Sequence, residues 1–258
     1  MRSMTRPGPI VSIVSFVAAA VTLAAGAAPA VAGERANPVV VELFTSQGCN
    51  SCPPADAYLG ELAKRPDILA LSWHVDYWDY IGWKDPFAQH AFTARQHAYS
   101  RSLAERYVYT PQMVINGHLQ GIGSERGEIE RLIGEAKSEQ TGSAARSPRL
   151  TVVGDSVHIE GGPAAPSNVW IAVFDPQHWT AVEQGENAGQ RLGEYNVVRE
   201  WTQIGKYEGK PVTLKLGVDM AEYEKSGCAI VVQQQTPDGP GPILAAYAID
   251  PPMKPAKK

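Results

Sequence analysis

Three cysteines in a chain of 258 residues are too few to staple a disulfide scaffold, so at most one intramolecular bridge forms among Cys49, Cys52 and Cys228. A structural zinc site needs a second ligand pair at close spacing to Cys49-Asn50-Ser51-Cys52, and none is present; His90, His97 and His118 follow no metal-binding pattern. Basic residues are also scarce. Of 23 lysines and arginines, Arg2 and Arg6 lie at the extreme N-terminus, which leaves 21 against 27 acidic residues. No basic stripe remains to bind nucleic acid. Beyond the first 30 residues no apolar run is long enough to cross a bilayer, and no internal repeat is present.

The N-terminus follows the pattern of an export signal. Arg2 and Arg6 precede an apolar run from Ile10 to Ala28, which ends in Ala30-Val31-Ala32 before Gly33. This predicts a signal peptide over residues 1–32 and a periplasmic or secreted protein with no membrane span after cleavage. The apolar run is long for a signal, so an uncleaved anchor is the competing reading. A hydrophobic share of 44% is ordinary for a globular protein, and the mature length suits one large domain or two smaller ones.

Val39 to Thr45 reads as a strand, about Asn50 to Arg65 as a helix, and Ile68 to Val75 as a second, buried strand, which together imply parallel pairing. A loop rich in aromatics, Asp76 to Asp85, leads into helical spacing from Pro86 to Arg106. Thr110-Pro111 precedes the short strand Gln112 to Asn116, and Asn116-Gly117 signals a hairpin. Ser124 is placed to cap a last helix that ends near Glu139. Residues 140–148 read as a linker. Short β-type runs follow at Leu150–Val153, Val157–Ile159, Val169–Phe174, Val212–Leu216, Ala229–Val232 and Ile243–Tyr247, and predict a β-rich, sandwich-like domain over 149–250 with a loose tail at 251–258.

Cys49 and Cys52 stand where the first strand gives way to the first helix. A helix start directs unpaired N–H groups and partial positive charge at its neighbours, which favours a thiolate. The arrangement predicts an exposed, electropositive pair with Cys49 as nucleophile and Cys52 as resolving thiol. Neither Asn50 nor Ser51 supplies a cation, so the lowering of the Cys49 pKa should be modest and the potential intermediate to reducing. Cys228, in a β-type run, reads as a buried free thiol.

A Cys-x-x-Cys at a strand-to-helix junction, followed by Thr110-Pro111 entering a hairpin, resembles the thioredoxin superfamily over about Pro38 to Glu139. Glu42 to Cys49, Ser51 to Asp56, His74 to Tyr80, Gly82 to Phe87, Gly185 to Gly189 and Asn196 to Arg199 are together similar to a bacterial family of exported thioredoxin-like proteins known only as domain-of-unknown-function family 1223. The resemblance implies an α/β thioredoxin-like domain over 38–139, a cis Pro111, and Thr110 beside the bound thiol or disulfide. It also implies Glu42 as general base for Cys52, although a carboxylate satisfied locally is the alternative. His74, Asp76 and Trp78 follow the carboxyl end of the second strand and are placed to line the sulfur site, with a hydrogen-bonded His74 and a loop packed by Trp73, Trp78 and Trp83 as competing readings.

The function expected is thiol-disulfide exchange with protein substrates, more reductase or isomerase than strong oxidase, with no organic cofactor and with a second thiol protein to reset the pair. Three other readings use the same residues: a Cu(I)-binding chaperone, since soft thiolates select that ion, a thiol peroxidase, and a redox-inert interaction protein.

Overall fold

Alternate residues of the strand Val39–Thr45 face two different apolar layers and all seven are buried, as befits a strand covered on both sides. The computed structural model describes residues 34–143, 146–218 and 226–249. The expected signal peptide and the tail at 251–258 lie outside them. The first half runs β1 (Glu34–Ala36), β2 (Val39–Thr45), α1 (Pro53–Leu62), β3 (Ile68–His74), a 3₁₀ turn at Asp79–Ile81, α2 (His90–Ser102), β4 (Gln112–Ile115), β5 (Leu119–Ile122) and α3 (Arg126–Ser143). β2 pairs parallel with β3 from Val39↔Ile68 to Thr45↔His74 and antiparallel with β4, where Phe44 faces Gln112. Asn116 and Gly117 take φ of 45° and 73° in the three-residue connection between β4 and β5, where the His118 N–H donates to the Ile115 carbonyl at 3.2 Å. A Cβ on Gly117 would lie 2.5 Å from the Gly241 carbonyl oxygen, so only glycine fits.

The second half runs β6 (Arg149–Val153), β7 (Ser156–Glu160), β8 (Ser167–Ala181), β9 (Arg191–Tyr207), β10 (Val212–Lys215), β11 (Gly227–Thr236) and β12 (Gly239–Ile249). Here the architecture departs from the expected free-standing sandwich. β8, β9, β11 and β12 continue the sheet of the first half, giving nine strands in the order β1-β12-β11-β8-β9-β3-β2-β4-β5, while β10, β7 and β6 form a separate three-stranded sheet. The fold is therefore mixed α/β, with one large mixed sheet and one small sheet.

The junction is β9 beside β3, paired parallel at Ser72↔Val197, and both halves fill one core. Val40, Phe44, Leu71 and Trp73 pack with Phe92 and Tyr99 of α2 and with Phe174, Val198 and Val231 from the second half. Val41, Leu43 and Ala70 cover the opposite face with Leu59 and Leu62 of α1 and Ile129 and Ile133 of α3. The small sheet covers β8, β11 and β12 through Val157, Ile159, Ile171, Ile230 and Tyr247. Apolar burial at this scale, at roughly 25 cal/mol per Å², joins the halves energetically as well as topologically.

Some boundaries moved. α1 begins at Pro53 because Pro53 and Pro54 are tolerated only in a first turn. α3 runs to Ser143, so Gln140 to Ser143 is helix where a linker was expected. β9 was not foreseen at all.

Candidate functional site

β2 ends at Thr45, and the chain turns through Ser46–Cys49, where the Cys49 N–H donates to the Ser46 carbonyl at 3.1 Å. Cys49 and Cys52 are joined by a disulfide with 5.4 Å between their Cα atoms. Thr110-Pro111 is cis. Because β4 runs antiparallel to β2, this peptide lies at the same end of the sheet as the disulfide turn. Trp78 connects the two places: its Nε1 donates to Thr110 Oγ1 at 2.8 Å, and its Cβ lies 3.0 Å from where a Cβ on Gly48 would be. A side chain on the residue before Cys49 would press on Trp78, whose carbonyl oxygen is 3.3 Å from the same position. The structure brings together Cys49, Cys52, Thr110, Pro111 and Trp78.

Two expectations about the pair are corrected. Both cysteines are 0% exposed, where an exposed pair was predicted. The helix tip also presents no free N–H. The Cys52 N–H is spent on the Cys49 carbonyl, Pro53 and Pro54 have none, and those of Ala55 and Asp56 both donate to the Cys52 carbonyl. The four donors that normally make a helix start electropositive are absent or occupied.

Three other candidates are placed elsewhere. Glu42 belongs to the β2 face that carries Val40 and Phe44, opposite to α1. Its carboxylate accepts from Arg95 Nε at 2.9 Å and from the Tyr99 hydroxyl of α2. The Arg95 guanidinium is in turn stacked on Trp73, Tyr99 and Trp201 at 4.9, 4.9 and 4.5 Å. It serves as a structural counter-ion there, not as a base for Cys52. Asp76 is engaged by α2, accepting from Thr93 Oγ1 at 2.6 Å and facing His90 Nδ1 at 3.1 Å. His74 is 1% exposed, and its Nδ1 lies 2.7 Å from Asp85 Oδ2, so its ring is held by a buried carboxyl and does not line an open surface.

Behind the disulfide turn His74 belongs to a buried ionisable group with three carboxyls that sequence reasoning missed, Asp56, Asp85 and Glu194. Asp56 is one helical turn beyond Cys52 and accepts from Thr45 Oγ1 at 2.8 Å. Burial pushes its carboxyl up to about 7, against the pull of His74 and Thr45. Glu194 is also moved to about 7 by burial, again opposed by His74. For His74 burial disfavours the charge, but Asp85, Asp56 and Glu194 outweigh it and the net direction is upward. Asp85 moves down: burial opposes its charge, and His74 with the N–H groups of Gln47 and Phe87 overcomes this. His74 Nε2 and Glu194 Oε2 have no hydrogen-bond partner among the described residues.

Gln47 ties this group to the disulfide turn. Its N–H donates to Asp85 Oδ2 at 2.8 Å, its Nε2 to Glu194 Oε1 at 2.8 Å and Thr180 Oγ1 at 2.9 Å, and its Oε1 accepts from Trp83 Nε1 at 2.9 Å. Asn187, from the loop between β8 and β9, donates from Nδ2 to the carbonyls of Gln47 and Cys49 at 2.9 and 3.0 Å. Gln47 is 1% exposed, and a polar side chain directly before Gly48-Cys49 is the sequence feature through which this network could have been sought. Cys228 is far along the chain in β11, buried and unpaired, with burial pushing its thiol up to about 11. Among the described residues no cluster of three or more histidine, cysteine or carboxylate side chains is placed to hold a metal ion, and no helix is long and apolar enough to cross a membrane.

Residues 40–233 match the family described as "Protein of unknown function (DUF1223)". The crystal structure of protein AGR_C_4864 from Agrobacterium tumefaciens is similar with a TM-score of 0.71 and 32% identity, covering 85% of this chain and 97% of that one. HBP35 of Porphyromonas gingivalis is similar in fold, with a TM-score of 0.53 and 12% identity, over 86% of this chain and 78% of that one. No curated protein matches.

Proposed function

Since the chain belongs to the DUF1223 family, whose description assigns no reaction, its activity has to be sought in its own site, and we propose that it is an exported thiol-disulfide oxidoreductase acting on protein substrates. In this reading Val39 to Ser143 is a thioredoxin-like unit, and the second half is a β-rich addition grown onto the same sheet. The observation that carries it is the Cys49–Cys52 disulfide at the start of α1, at the same sheet end as the cis Thr110-Pro111 peptide.

In the reduced protein, Cys49 thiolate attacks one sulfur of a substrate disulfide and expels the other as a thiolate, forming a mixed disulfide. Cys52 then gives its proton to Asp56 and attacks Cys49 Sγ, which releases the substrate's second thiol and restores the Cys49–Cys52 bond. Two electrons pass from the pair to the substrate. Asp56 suits the proton transfer because it lies one turn from Cys52 and its carboxyl titrates at about 7, near working pH. Resetting the pair requires a second dithiol protein.

One feature favours a reducing pair: the helix tip offers no free N–H to a thiolate. A poorly stabilised thiolate makes a weak oxidant. Equilibration against thiol buffers is expected to place the potential nearer to about −270 mV than to about −120 mV. Reduction of a protein disulfide should disappear in Cys49→Ser and in Cys52→Ser. Turnover that survives both substitutions, or uptake of one equivalent of Cu(I) with no disulfide reduction, would overturn the proposal.

A further inference from the structure

The loop Val182–Gln190 is self-contained. Val182 N–H donates to the Gln190 carbonyl at 3.0 Å, Gly189 N–H to the Val182 carbonyl at 2.8 Å, and Ala188 N–H to the Gly185 carbonyl at 3.2 Å. Its ends are thereby closed on themselves, as in a compact surface loop. Only two of its residues are buried, Val182 and Asn187, while Glu183, Gln184, Glu186, Ala188 and Gly189 face solvent. Gly185, at φ 78°, lies against Trp83, whose Cβ would be 3.2 Å from a side chain there. Little apolar area holds the loop down.

Polar fastening replaces that packing. Asn187 is 0% exposed, and its Nδ2 reaches the Gln47 and Cys49 carbonyls while its Oδ1 accepts from Gln190 Nε2 at 3.1 Å. Gln47 is gripped from the same hairpin by Thr180 and Glu194. A segment held by a few hydrogen bonds and scant apolar contact belongs to the parts of a protein that open locally.

We propose that the β8–β9 loop is a latch over the disulfide turn, with Asn187 as its catch, and that Cys49 becomes available for exchange only when Asn187 leaves the Cys49 and Gln47 carbonyls. This builds on the oxidoreductase reading and adds its regulation: the second half of the chain controls access to the sulfurs of the first. Asn187 acts through the backbone of Cys49 and is a positioning residue.

The test is the rate at which dithiothreitol reduces the oxidised full-length chain, the reagent closing to its cyclic disulfide as the Cys49–Cys52 bond breaks. Asn187→Ala removes three hydrogen bonds, and loss of the two that hold the turn should speed reduction by about thirtyfold; loss of the single supporting bond in Gln190→Ala should speed it by about fivefold. Gln190 is exposed, so that variant keeps the fold and decides the matter if Asn187→Ala does not fold. Rates within twofold of the parent in every variant that folds would overturn the latch. Access to a small reductant is independent of protein substrates. Faster reduction in a chain that never exchanges disulfides with a protein would therefore keep the latch and discard the oxidoreductase reading.

Discussion

Replacement of Asp56 by Asn tests whether a carboxyl is held in the interior against its own ionisation. Its pKa moves from an ordinary 3.8 to about 7 in the folded chain. Between those values the native state keeps a proton that the unfolded state has released, so stability falls as pH rises through this window. At about 1.36 kcal/mol per pH unit, the ceiling on the penalty is about 4 kcal/mol at pH 8 and about 1–2 kcal/mol at pH 5. Asn keeps the oxygen that accepts from Thr45 Oγ1 but adds an NH₂ group, which costs about 1–3 kcal/mol where it finds no acceptor. Asp56→Asn should therefore stabilise the oxidised chain by about 1–3 kcal/mol at pH 8 and be neutral or destabilising at pH 5. For a chain of this size that is a rise of very roughly 2–10 °C in Tm at the higher pH. Urea unfolding of the parent and the variant at both pH values, with the disulfide intact, reads the difference directly. An identical effect of the substitution at pH 5 and pH 8 would refute the reasoning, because Glu194 and His74 are present in parent and variant alike, and the Asp56 carboxyl is what separates the two chains.

Glu42→Gln should cost about 3–5 kcal/mol, because it leaves buried Arg95 without its counter-charge, yet leave disulfide exchange by the folded protein unchanged; denaturation and exchange assays on one sample separate the two. Gly48→Ala should cost about 1–3 kcal/mol, since its Cβ meets Trp78; a change in tryptophan fluorescence alongside the loss of stability locates the clash, and an unaltered spectrum and Tm would contradict it.

Local signals carried much of the first half. A continuous apolar run was enough for β2 and β3, and Asn116-Gly117 for the hairpin. β9 escaped because its sequence lacks clean alternation: Glu194 and Asn196 are buried, and the strand is held by its neighbours β8 and β3 rather than by propensity. The site behind the sulfurs escaped for a related reason. Asp56 reads as an ordinary polar residue of a first helical turn. Only folding brings it within the influence of His74, Asp85 and Glu194, each from a different segment. Glu42 attracted attention by resemblance, but successive strand residues face opposite sides, and Glu42 shares its side with Val40 and Phe44 and therefore meets α2 instead of α1. Asn187 holds the Cys49 carbonyl from 138 residues farther along the chain, and the resemblance at Gly185 to Gly189 marked that segment without saying what it touches.

The continuity of the large sheet across Ser72 and Val197 bears on how this chain can be divided. Ending it at Ser143 would strip β3 of its neighbour and uncover the side of Phe44, Trp73 and Tyr99 that now rests on Phe174 and Val198. A raw strand border beside a bare aromatic face invites self-association. The sulfur-bearing half is thus not a detachable module, and its solubility is lent to it by the half that follows.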